Sequence, residues 1–360
     1  MKAWYKETLD SPLACVELPD PTLRPGSIVV DVLAVHVPAY LAAMVDSTEI
    51  PLPVPLVIGA GGVGKVSEVA GDVHSVKCGD LVSLDCLLEN GNADSPEDVL
   101  MGLGEIGGKG AETETVKAIR DGWRDGTMAQ RVVIPATAVT RLPKGERYAD
   151  SSEPVAKLGF LTWLAIAAEG VVQSDQRPGD VVAVLGATGQ MGGAAVLVAL
   201  ARGASRVIAA GRNEPALQRL ADLDERVSIV VLSGNVEENT KRISSIASPH
   251  VVIDAVGGSD NPDVILAGFG AMRDSGTMVL MSGTRCDVPL PYGEVLRRRL
   301  TIKGSRMYKS QTMAEVWRMV SSGLINLANV DVHVVGIDDP RAAIAAAAQL
   351  TGLSFVSLTP

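Results

Sequence analysis

The chain has 360 residues, of which 47% are apolar and 21% charged, a composition typical of folded proteins large enough for two domains. Its formal net charge of −10 argues against a nucleic acid or an anionic membrane as the main partner, because neutralising phosphates requires a basic face. The cysteines (Cys15, Cys78, Cys86 and Cys286) form no C-x-x-C pair, and the first residues, MKAWYKETLD, lack an apolar signal core. We therefore expect a reducing, cytoplasmic location.

Residues 1–150 predict a mostly β, barrel-like domain. Short segments that alternate apolar and polar residues, such as 27–35 (SIVVDVLAV) and 129–135 (AQRVVIP), are separated by frequent Gly and Pro. Residues 86–126 are acidic, glycine-rich and weakly patterned, so we expect a long excursion over the surface there.

The first glycine-rich stretch, Gly59–Gly64, reads G-x-G-x-x-G, the fingerprint of dinucleotide binding. A phosphate-binding loop needs a strand before it and a helix after it, because the helix N-terminus supplies free N–H groups and partial positive charge. Lys65–Val69 alternates polar with apolar residues and is rich in β-branched side chains, which predicts a strand. The stretch therefore lacks the context of a cofactor site.

The second glycine-rich stretch, 181–204, has that context. Val181–Leu185 is an unbroken apolar run typical of a buried parallel strand, and the residues after Gly192 are rich in Ala and Leu, as in a helix. The 21 uncharged residues from Val181 are long enough to span a membrane, but the glycines between favour a strand followed by a helix. The fingerprint here reads A-x-G-x-x-G, and we predict that its loop binds the cofactor through Ala187, Thr188, Gly189, Gln190, Met191 and Gly192.

The end of the next predicted strand, Arg206–Ala210, bears on the choice of cofactor. An acid normally binds the adenosine 2′-hydroxyl about 20 residues after the fingerprint, where this chain has Gly211, Arg212 and Asn213. The missing acid leaves room for a 2′-phosphate, and a guanidinium can bind one, so we expect NADP(H) rather than NAD(H). The alternative is that Arg212 is only a solvated residue at a helix start.

Four further segments, 227–232, 250–258, 276–283 and 300–305, continue the alternation of strands with helices. Six strands with intervening helices predict a doubly wound parallel sheet. Ligands bind at the carboxyl ends of such strands. We therefore add these residues to the predicted cofactor site: Ala255, Val256, Gly257, Ser282, Gly283 and Thr284.

The chain resembles the medium-chain dehydrogenase/reductase superfamily over nearly its whole length, and Gly59–Gly64 carries the resemblance. Zinc alcohol dehydrogenases of that superfamily read G-H-E-x-x-G here, followed by a small residue, an aliphatic residue and a G-D-x-V turn. The frame is matched by Gly59, Gly64, Ala70, Val73 and Gly79-Asp80-Leu81-Val82. Ala60 and Gly61 replace the His and Glu, so the zinc-binding histidine is missing.

The resemblance implies an α/β fold with two domains. One is a GroES-like, mostly β catalytic domain formed by residues 1–152 and completed by 308–360. The other, residues 153–307, is a Rossmann domain with a doubly wound parallel sheet.

The other zinc positions of the family also differ. In the stretch His36–Leu41, Pro38 stands where the family has a cysteine ligand, and Cys86 stands alone where a structural zinc lobe has four cysteines. Zinc needs three or four converging N, S or O ligands, and His36, His74 and Cys86 are scattered in sequence. We expect a protein without bound metal.

Without a Lewis acid, hydride transfer is easiest to an acceptor that spreads its own charge. The resemblance then points to the zinc-free branch of quinone oxidoreductases and enoyl reductases, in which NADPH reduces a quinone or an α,β-unsaturated carbonyl. Two departures leave alternatives open: the Asn-Pro pair of that branch is not clear at Val37-Pro38, and Leu197 stands where a Gln is expected. The alternatives are a zinc-free carbonyl reductase or alcohol dehydrogenase acting on a ketone, and an NADPH-binding protein without turnover.

The resemblance also suggests catalytic and substrate-binding residues. Tyr40 matches the Thr/Ser proton-relay position, and Thr162, in GFLTWLA, matches a threonine near the nicotinamide; Tyr40 is equally suited to packing at the domain junction. Trp163 replaces a small residue and narrows the expected cleft. His36 lies near the lost ligand, where simple packing is the alternative role, and Tyr308 is expected to line the substrate entrance.

The last strand of the sheet, 300–305, predicts a homodimer. In the resembling family this edge pairs across a two-fold axis, and the uncharged Leu300-Thr301-Ile302 would be costly to leave as a bare edge. Arg297-Arg298-Arg299 would lie near the junction, although such a run is also typical of a solvated turn.

Overall fold

Four sheets and eleven α-helices make up the described part of this computed structural model, which covers residues 1–45, 52–104, 113–145, 148 and 152–360. The strands are β1 Lys2–Lys6, β2 Ala14–Glu17, β3 Ser27–Val37, β4 Leu56–Val57, β5 Val63–Val69, β6 Leu81–Leu84, β7 Leu87–Glu89, β8 Asp98–Leu100, β9 Arg131–Pro135, β10 Val139–Arg141, β11 Val181–Leu185, β12 Arg206–Gly211, β13 Val227–Val231, β14 Val251–Asp254, β15 Thr277–Leu280, β16 Thr301–Gly304, β17 Asp331–Val335 and β18 Ser354–Leu358. The helices are α1 Leu41–Val45, α2 Glu114–Gly122, α3 Ser152–Lys157, α4 Leu161–Gln173, α5 Gln190–Ala201, α6 Glu214–Ala221, α7 Val236–Ile246, α8 Asp263–Ala271, α9 Tyr292–Arg297, α10 Ser310–Ser321 and α11 Pro340–Ala347.

A six-stranded sheet with strand order β13-β12-β11-β14-β15-β16 forms the second half of the molecule. All five of its pairings are parallel, for example Val182 opposite Val207 and Val251. Each of these strands was predicted from its apolar run, and the doubly wound parallel sheet is confirmed. The runs are continuous rather than alternating because both faces of the sheet are covered by helices.

Two apolar layers sandwich this sheet. On one face, Val184 and Ala209 pack with buried residues of α4, α5 and α10. On the other face, Leu185 and Ile208 pack with buried residues of α7 and α8, including Phe269. Helix α5 is apolar all round because it lies between the sheet and other elements, with ten of its twelve residues buried.

The N-terminal half is built around a sheet with strand order β10-β6-β5-β3-β18-β17, in which β9 also pairs with β3. Strands β1, β2 and β4 form a small antiparallel sheet beside it. The C-terminal strand β18 pairs antiparallel with β3, with Ser357 opposite His36, so the chain end returns to the first half of the molecule. The predicted β-rich character is therefore confirmed, whereas the exact domain boundaries stay a prediction, and residues 149–151, next to the predicted one at 152, lie outside the described residues.

The prediction of a surface excursion over 86–126 is wrong for much of the segment. Strands β7 and β8 form a hairpin, and Val99, Leu100 and Met101 are buried in the same apolar cluster as β3. Helix α2 adds Val116 to that cluster. The apolar residues are too widely spaced among Gly and acidic residues to show a periodicity. Residues 105–112, within the same prediction, lie outside the described residues.

One helical stretch, Val155–Gln173, is long and apolar enough to cross a membrane by length and composition alone. Most of it is buried inside the protein, as is usual for a core helix. The uncharged run of 21 residues from Val181 was also long enough to span a membrane. It forms β11, a turn and α5, as predicted.

Candidate active site

The loop between β11 and α5 has the structure of a phosphate-binding turn. Gly189 precedes α5 in an extended conformation, and a Cβ on it would meet only the Gly186 carbonyl oxygen, at 3.5 Å. A Cβ on Gly192 would lie 2.2 Å from that same oxygen, so the helix packs directly on the loop. On the other side of the loop, the Gln190 side-chain amide donates a hydrogen bond to the Ser354 carbonyl oxygen at 3.0 Å. The predicted loop residues 187–192 thus surround one helix N-terminus, which leaves N–H groups available to an anion.

The end of β12 offers a cation and no acid. A Cβ on Gly211 would lie 2.5 Å from the Thr188 methyl carbon, so this position has no room for a side chain. The exposed Arg212 has no hydrogen bond or ion pair with any residue that the structure describes. Asn213 caps α6 by accepting from the Ala216 N–H at 3.1 Å. A free guanidinium therefore lies beside the predicted ribose position.

Asp254 ties together the two other predicted cofactor segments. It ends β14 and accepts hydrogen bonds from the Val256 N–H at 3.0 Å and the Ser282 hydroxyl at 2.8 Å. Thr284 donates to the Val256 carbonyl at 3.2 Å, so segments 255–257 and 282–284 form one edge of the cleft. Burial raises the pKa of Asp254, although both hydrogen bonds oppose the shift. The sequence analysis missed this residue; its signal was an acid directly ending an apolar strand.

The first glycine-rich stretch has a packing role. Gly59, Gly61 and Gly62 all have positive φ angles, and β5 follows them, as predicted. A Cβ on Gly61 would lie 2.6 Å from the Thr162 hydroxyl oxygen, and its carbonyl accepts from Thr127 at 2.6 Å. These glycines let the turn approach α4 closely, which brings Thr162 against Gly61 of the first glycine-rich stretch.

His36 and Tyr40, from the N-terminal half of the molecule, contact Trp163 of helix α4. The His36 and Trp163 rings are 5.2 Å apart, and the Tyr40 ring stands edge-on to Trp163 at 6.4 Å. His36 Nδ1 and Trp163 Nε1 are buried without a hydrogen-bond partner in the described part of the chain. Burial lowers the pKa of His36 to about 4, so its imidazole is neutral at pH 7. Tyr40 is 43% exposed, and the surrounding protein raises the pKa of its phenol.

The sequence predicted that Tyr308 lines the substrate entrance, but the structure places it elsewhere. Only 4% of it is exposed, because the chain after β16 turns inward and packs it into the core beside α4. Its hydroxyl is near Thr162, Cys86 and Asp85. Asp85, which the sequence analysis also missed, is buried and accepts hydrogen bonds from Thr140 at 2.9 Å and Ser310 at 3.0 Å.

The side chains at the positions where the resembling enzymes have zinc ligands do not fit a metal. Among the residues that the structure describes, no group of three or more His, Cys, Asp or Glu side chains converges. Pro38 and Ala60 offer no ligand atoms in their side chains. Burial raises the pKa of Cys86 to about 12, so its sulfur is a thiol rather than the thiolate that zinc binds.

Two family models match most of the chain. The model described as "Alcohol dehydrogenase GroES-like domain" matches residues 24–144, and the one described as "Zinc-binding dehydrogenase" matches residues 191–322. An alcohol dehydrogenase of Geobacillus stearothermophilus is 26% identical over 90% of this chain and 90% of its own length.

Among solved structures of the same fold, one is bound to NADP and another to NADH. A zinc-binding dehydrogenase from Sinorhizobium meliloti 1021, bound to NADP, superposes with a TM-score of 0.78 at 18% identity, covering 100% of this chain and 99% of that one. An alcohol dehydrogenase from E. coli CFT073, complexed with NADH, gives 0.78 at 19% identity with the same coverage. These likenesses establish the fold.

Proposed function

The chain belongs to the medium-chain dehydrogenase/reductase superfamily and is an oxidoreductase of that superfamily, and we propose that it is a zinc-independent, NADP(H)-dependent reductase. Its proposed substrates are compounds with an activated C=C bond, namely α,β-unsaturated carbonyls or quinones.

The observation that carries this proposal is the loss of the ligand set within an otherwise intact zinc frame. Gly59, Gly64 and the turn at Gly79 keep the frame, but Pro38 and Ala60 remove two ligands. A zinc ion would polarise a substrate oxygen and stabilise the charge that develops there. Without such an ion, an acceptor that delocalises its own charge has the lower barrier, and conjugated carbonyls and quinones do this.

The residues of the nucleotide cleft fit NADP(H). When bound, this cofactor supplies the hydride. The N-terminus of α5 and Gly189 would hold its pyrophosphate, and Arg212 its 2′-phosphate, where Gly211 leaves no competing acid. Asp254 would keep the segments 255–257 and 282–284 in place along the nicotinamide half.

Protein groups at the cleft supply hydrogen bonds rather than a metal. Thr162 and Tyr40 have hydroxyls where we place the reacting end of the substrate, and the raised pKa of Tyr40 keeps its phenol protonated near pH 7. Trp163 and the neutral His36 lie beside the same hydroxyls, and neither Trp163 Nε1 nor His36 Nδ1 has a hydrogen-bond partner among the described residues. Hydrogen-bond donors aimed at a developing oxyanion are the usual substitute for a Lewis acid.

A second candidate is a zinc-free carbonyl reductase or alcohol dehydrogenase. The observation that favours it is the unpartnered Trp163 Nε1–H, a donor that suits an unconjugated ketone as well as an enone. The Geobacillus relative, an alcohol dehydrogenase by name, is consistent with it.

Oxidation of NADPH by a matched substrate panel tests both candidates. The panel contains an enone, the saturated ketone of the same carbon skeleton, and a quinone, and products are identified by mass spectrometry. We expect turnover of the enone to the saturated ketone and of the quinone, with little reduction of the ketone. An allylic alcohol from the enone, or preferential use of the ketone, would favour the second candidate. Cofactor binding without turnover of any compound would contradict both.

A further inference from the structure

A buried hydrogen-bonded cluster around Asp85 joins elements that are distant in the chain. Asp85 follows β6 and is only 4% exposed. Its carboxylate accepts hydrogen bonds from Thr140 in the edge strand β10, from Ser310 at the first residue of α10, and from Ser83 at 3.4 Å. A carboxyl group buried at this depth needs such partners to be tolerated.

Tyr308 lies beside this cluster, near both Asp85 and Thr162. Its hydroxyl oxygen is buried and has no hydrogen-bond partner among the described residues. It is nevertheless close enough to Asp85 and to Thr162 for both to act on its ionisation. Leaving a buried hydroxyl unpaired costs folding free energy, so the arrangement calls for an explanation. A hydroxyl that can turn toward either neighbour is suited to exchanging a proton between them.

Thr162, which is only 2% exposed, is the member of this group at which we place the oxygen of the proposed substrate. It is on the first turn of α4, against Gly61 and directly before Trp163. We propose that Asp85, Tyr308 and Thr162 form a buried proton relay that ends at the substrate oxygen. The relay rests on the reductase function proposed above and names the route of its proton.

Three protons each move by one step along the relay in a turnover. When bound, a reduced nicotinamide dinucleotide would supply the hydride, and the substrate oxygen would then gain negative charge. The Thr162 O–H bond breaks as a new O–H bond forms on that oxygen, Thr162 takes the Tyr308 proton, and Tyr308 takes the proton of the Asp85 carboxyl. With an enone, the enol formed in this way tautomerises to the saturated ketone by exchange of protons with solvent. Asp85 is left as a carboxylate and regains a proton from solvent between turnovers. Thr162 is the catalytic residue, and Tyr308 and Asp85 are positioning residues that act through it.

The electrostatics of the cluster agree with this order of transfer. Burial raises the pKa of Asp85 to about 6, against the effect of its hydrogen bonds. Burial, together with Asp85 and Cys86, raises the pKa of Tyr308 well above its ordinary value, so the phenol transfers a proton only in concert. The titratable groups that face Asp85 are Tyr308 and Cys86. The charge of Arg306 lowers the pKa of Cys86, and Arg306 itself forms an ion pair with Asp98.

Titration of Asp85 in the cofactor-free protein tests the contacts without any turnover. The carboxyl band of Asp85 is assigned by infrared difference between the wild type and Asp85→Asn. We expect a midpoint near pH 6, and a higher midpoint in Tyr308→Phe, because the neighbouring phenol stabilises the carboxylate when its hydroxyl turns toward Asp85. A midpoint that Tyr308→Phe leaves unchanged would refute the link between the two residues.

The pH profile of reduction tests the relay itself. Because the protonated carboxyl is the donor, kcat/KM should be high below about pH 6 and fall as the pH rises through that value. Asp85→Asn and Tyr308→Phe should each lower the acid-side kcat/KM about 100-fold and abolish this pH dependence. Thr140→Val removes a hydrogen bond that stabilises the carboxylate, so it should move the fall to higher pH without abolishing it. Tyr5→Phe, on β1, is the matched control and should leave the profile unchanged.

Two outcomes separate failure of the relay from failure of the proposed reductase. Variants that lower kcat/KM equally at every pH, with the fall near pH 6 retained, would mean that Asp85 and Tyr308 are merely structural, and the relay would be wrong. A wild type that oxidises NADPH with no compound of the panel would contradict the reductase, and the titration of the cofactor-free protein would still decide whether the two residues are linked.

Discussion

At the scale of single residues, Arg212 determines the expected choice of cofactor. Its guanidinium is exposed and unpaired in the described part of the chain, beside a position where Gly211 excludes an acid. Hydrogen bonds to a charged partner contribute about 1.5–3 kcal/mol, which corresponds to a factor of about 10 to 100 in affinity. Arg212→Ala should therefore weaken NADPH binding by that factor and leave NADH nearly unchanged, as measured by fluorescence titration.

The matched control for this prediction is Arg177→Ala. Arg177 is equally exposed but lies in the turn before β11, at the opposite edge of the sheet from the cofactor loop. It should change neither affinity. Equal losses for NADPH and NADH in Arg212→Ala would mean that the guanidinium contacts a part common to both cofactors.

The metal content is a second prediction at this scale. The donor set at Pro38, Ala60 and the protonated Cys86 thiol cannot bind zinc, so the purified protein should contain no stoichiometric zinc. Treatment with a chelator should leave both NADPH oxidation and thermal stability unchanged. The measurement is elemental analysis by mass spectrometry, with a zinc alcohol dehydrogenase prepared alongside. One zinc per chain would contradict the proposal that the site works without a metal ion as Lewis acid.

At the scale of elements, the turn between β11 and α5 separates two roles of glycine. A Cβ on Gly192 would lie 2.2 Å from a carbonyl oxygen and 2.7 Å from the Ala187 Cα, both backbone atoms that cannot move aside easily. Gly192→Ala should therefore lower the free energy of unfolding by about 1–3 kcal/mol and also weaken cofactor binding. Urea denaturation and cofactor titration measure the two effects.

Gly189→Ala is the paired variant in the same turn. A Cβ there makes only an ordinary contact at 3.5 Å, and the backbone conformation is open to any residue. We expect a change of about 1 kcal/mol or less in stability, but a loss of affinity of about tenfold or more, because the methyl group points where the pyrophosphate would approach. If both variants lost stability and affinity in the same proportion, Gly189 would have no separate role in binding.

The sequence predicted the parallel sheet well because burial on both faces leaves a continuous apolar signature. All six strands and the start of α5 follow directly from such runs and from the glycines between them. The segment 86–126 was misjudged because its buried residues, such as Met101 and Val116, are isolated among Gly and acidic residues and show no periodicity.

The candidate site was predictable where the motif is local and not where it is assembled from distant parts. The loop at 187–192 and the Gly211–Asn213 turn are each continuous in sequence. By contrast, Asp85 accepts a hydrogen bond from Ser310, which is 225 positions later in the chain, and lies in a segment with no motif. Tyr308 was picked out from its place after the last strand, but its burial depends on how α10 packs against α4. Only the three-dimensional arrangement links these residues.

At the scale of the whole molecule, β16 leaves an edge of the parallel sheet open. The N–H groups of Thr301 and Ser305 donate to the carbonyls of Gly276 and Leu280, on the β15 side. Because hydrogen-bonding direction alternates along a strand, the Ile302 N–H points to the free edge. Tyr292 and Leu296, four positions apart on the preceding helix α9, are 80% and 64% exposed. Such an edge with nearby apolar residues is suited to pairing with a second copy.

We predict a homodimer formed through this edge, and Ile302→Pro separates that prediction from general loss of structure. Proline removes the outward N–H without removing a hydrogen bond to β15, and edge strands tolerate it in this position. Light scattering should give twice the 37.5 kDa chain mass for the wild type and for Ile302→Val, which keeps the N–H and most of the side chain. Ile302→Pro should give the monomer mass with a circular dichroism spectrum close to that of the wild type. A wild-type protein of monomer mass at micromolar concentration would refute the dimer. A dimer that persists in Ile302→Pro would place its interface away from the β16 edge.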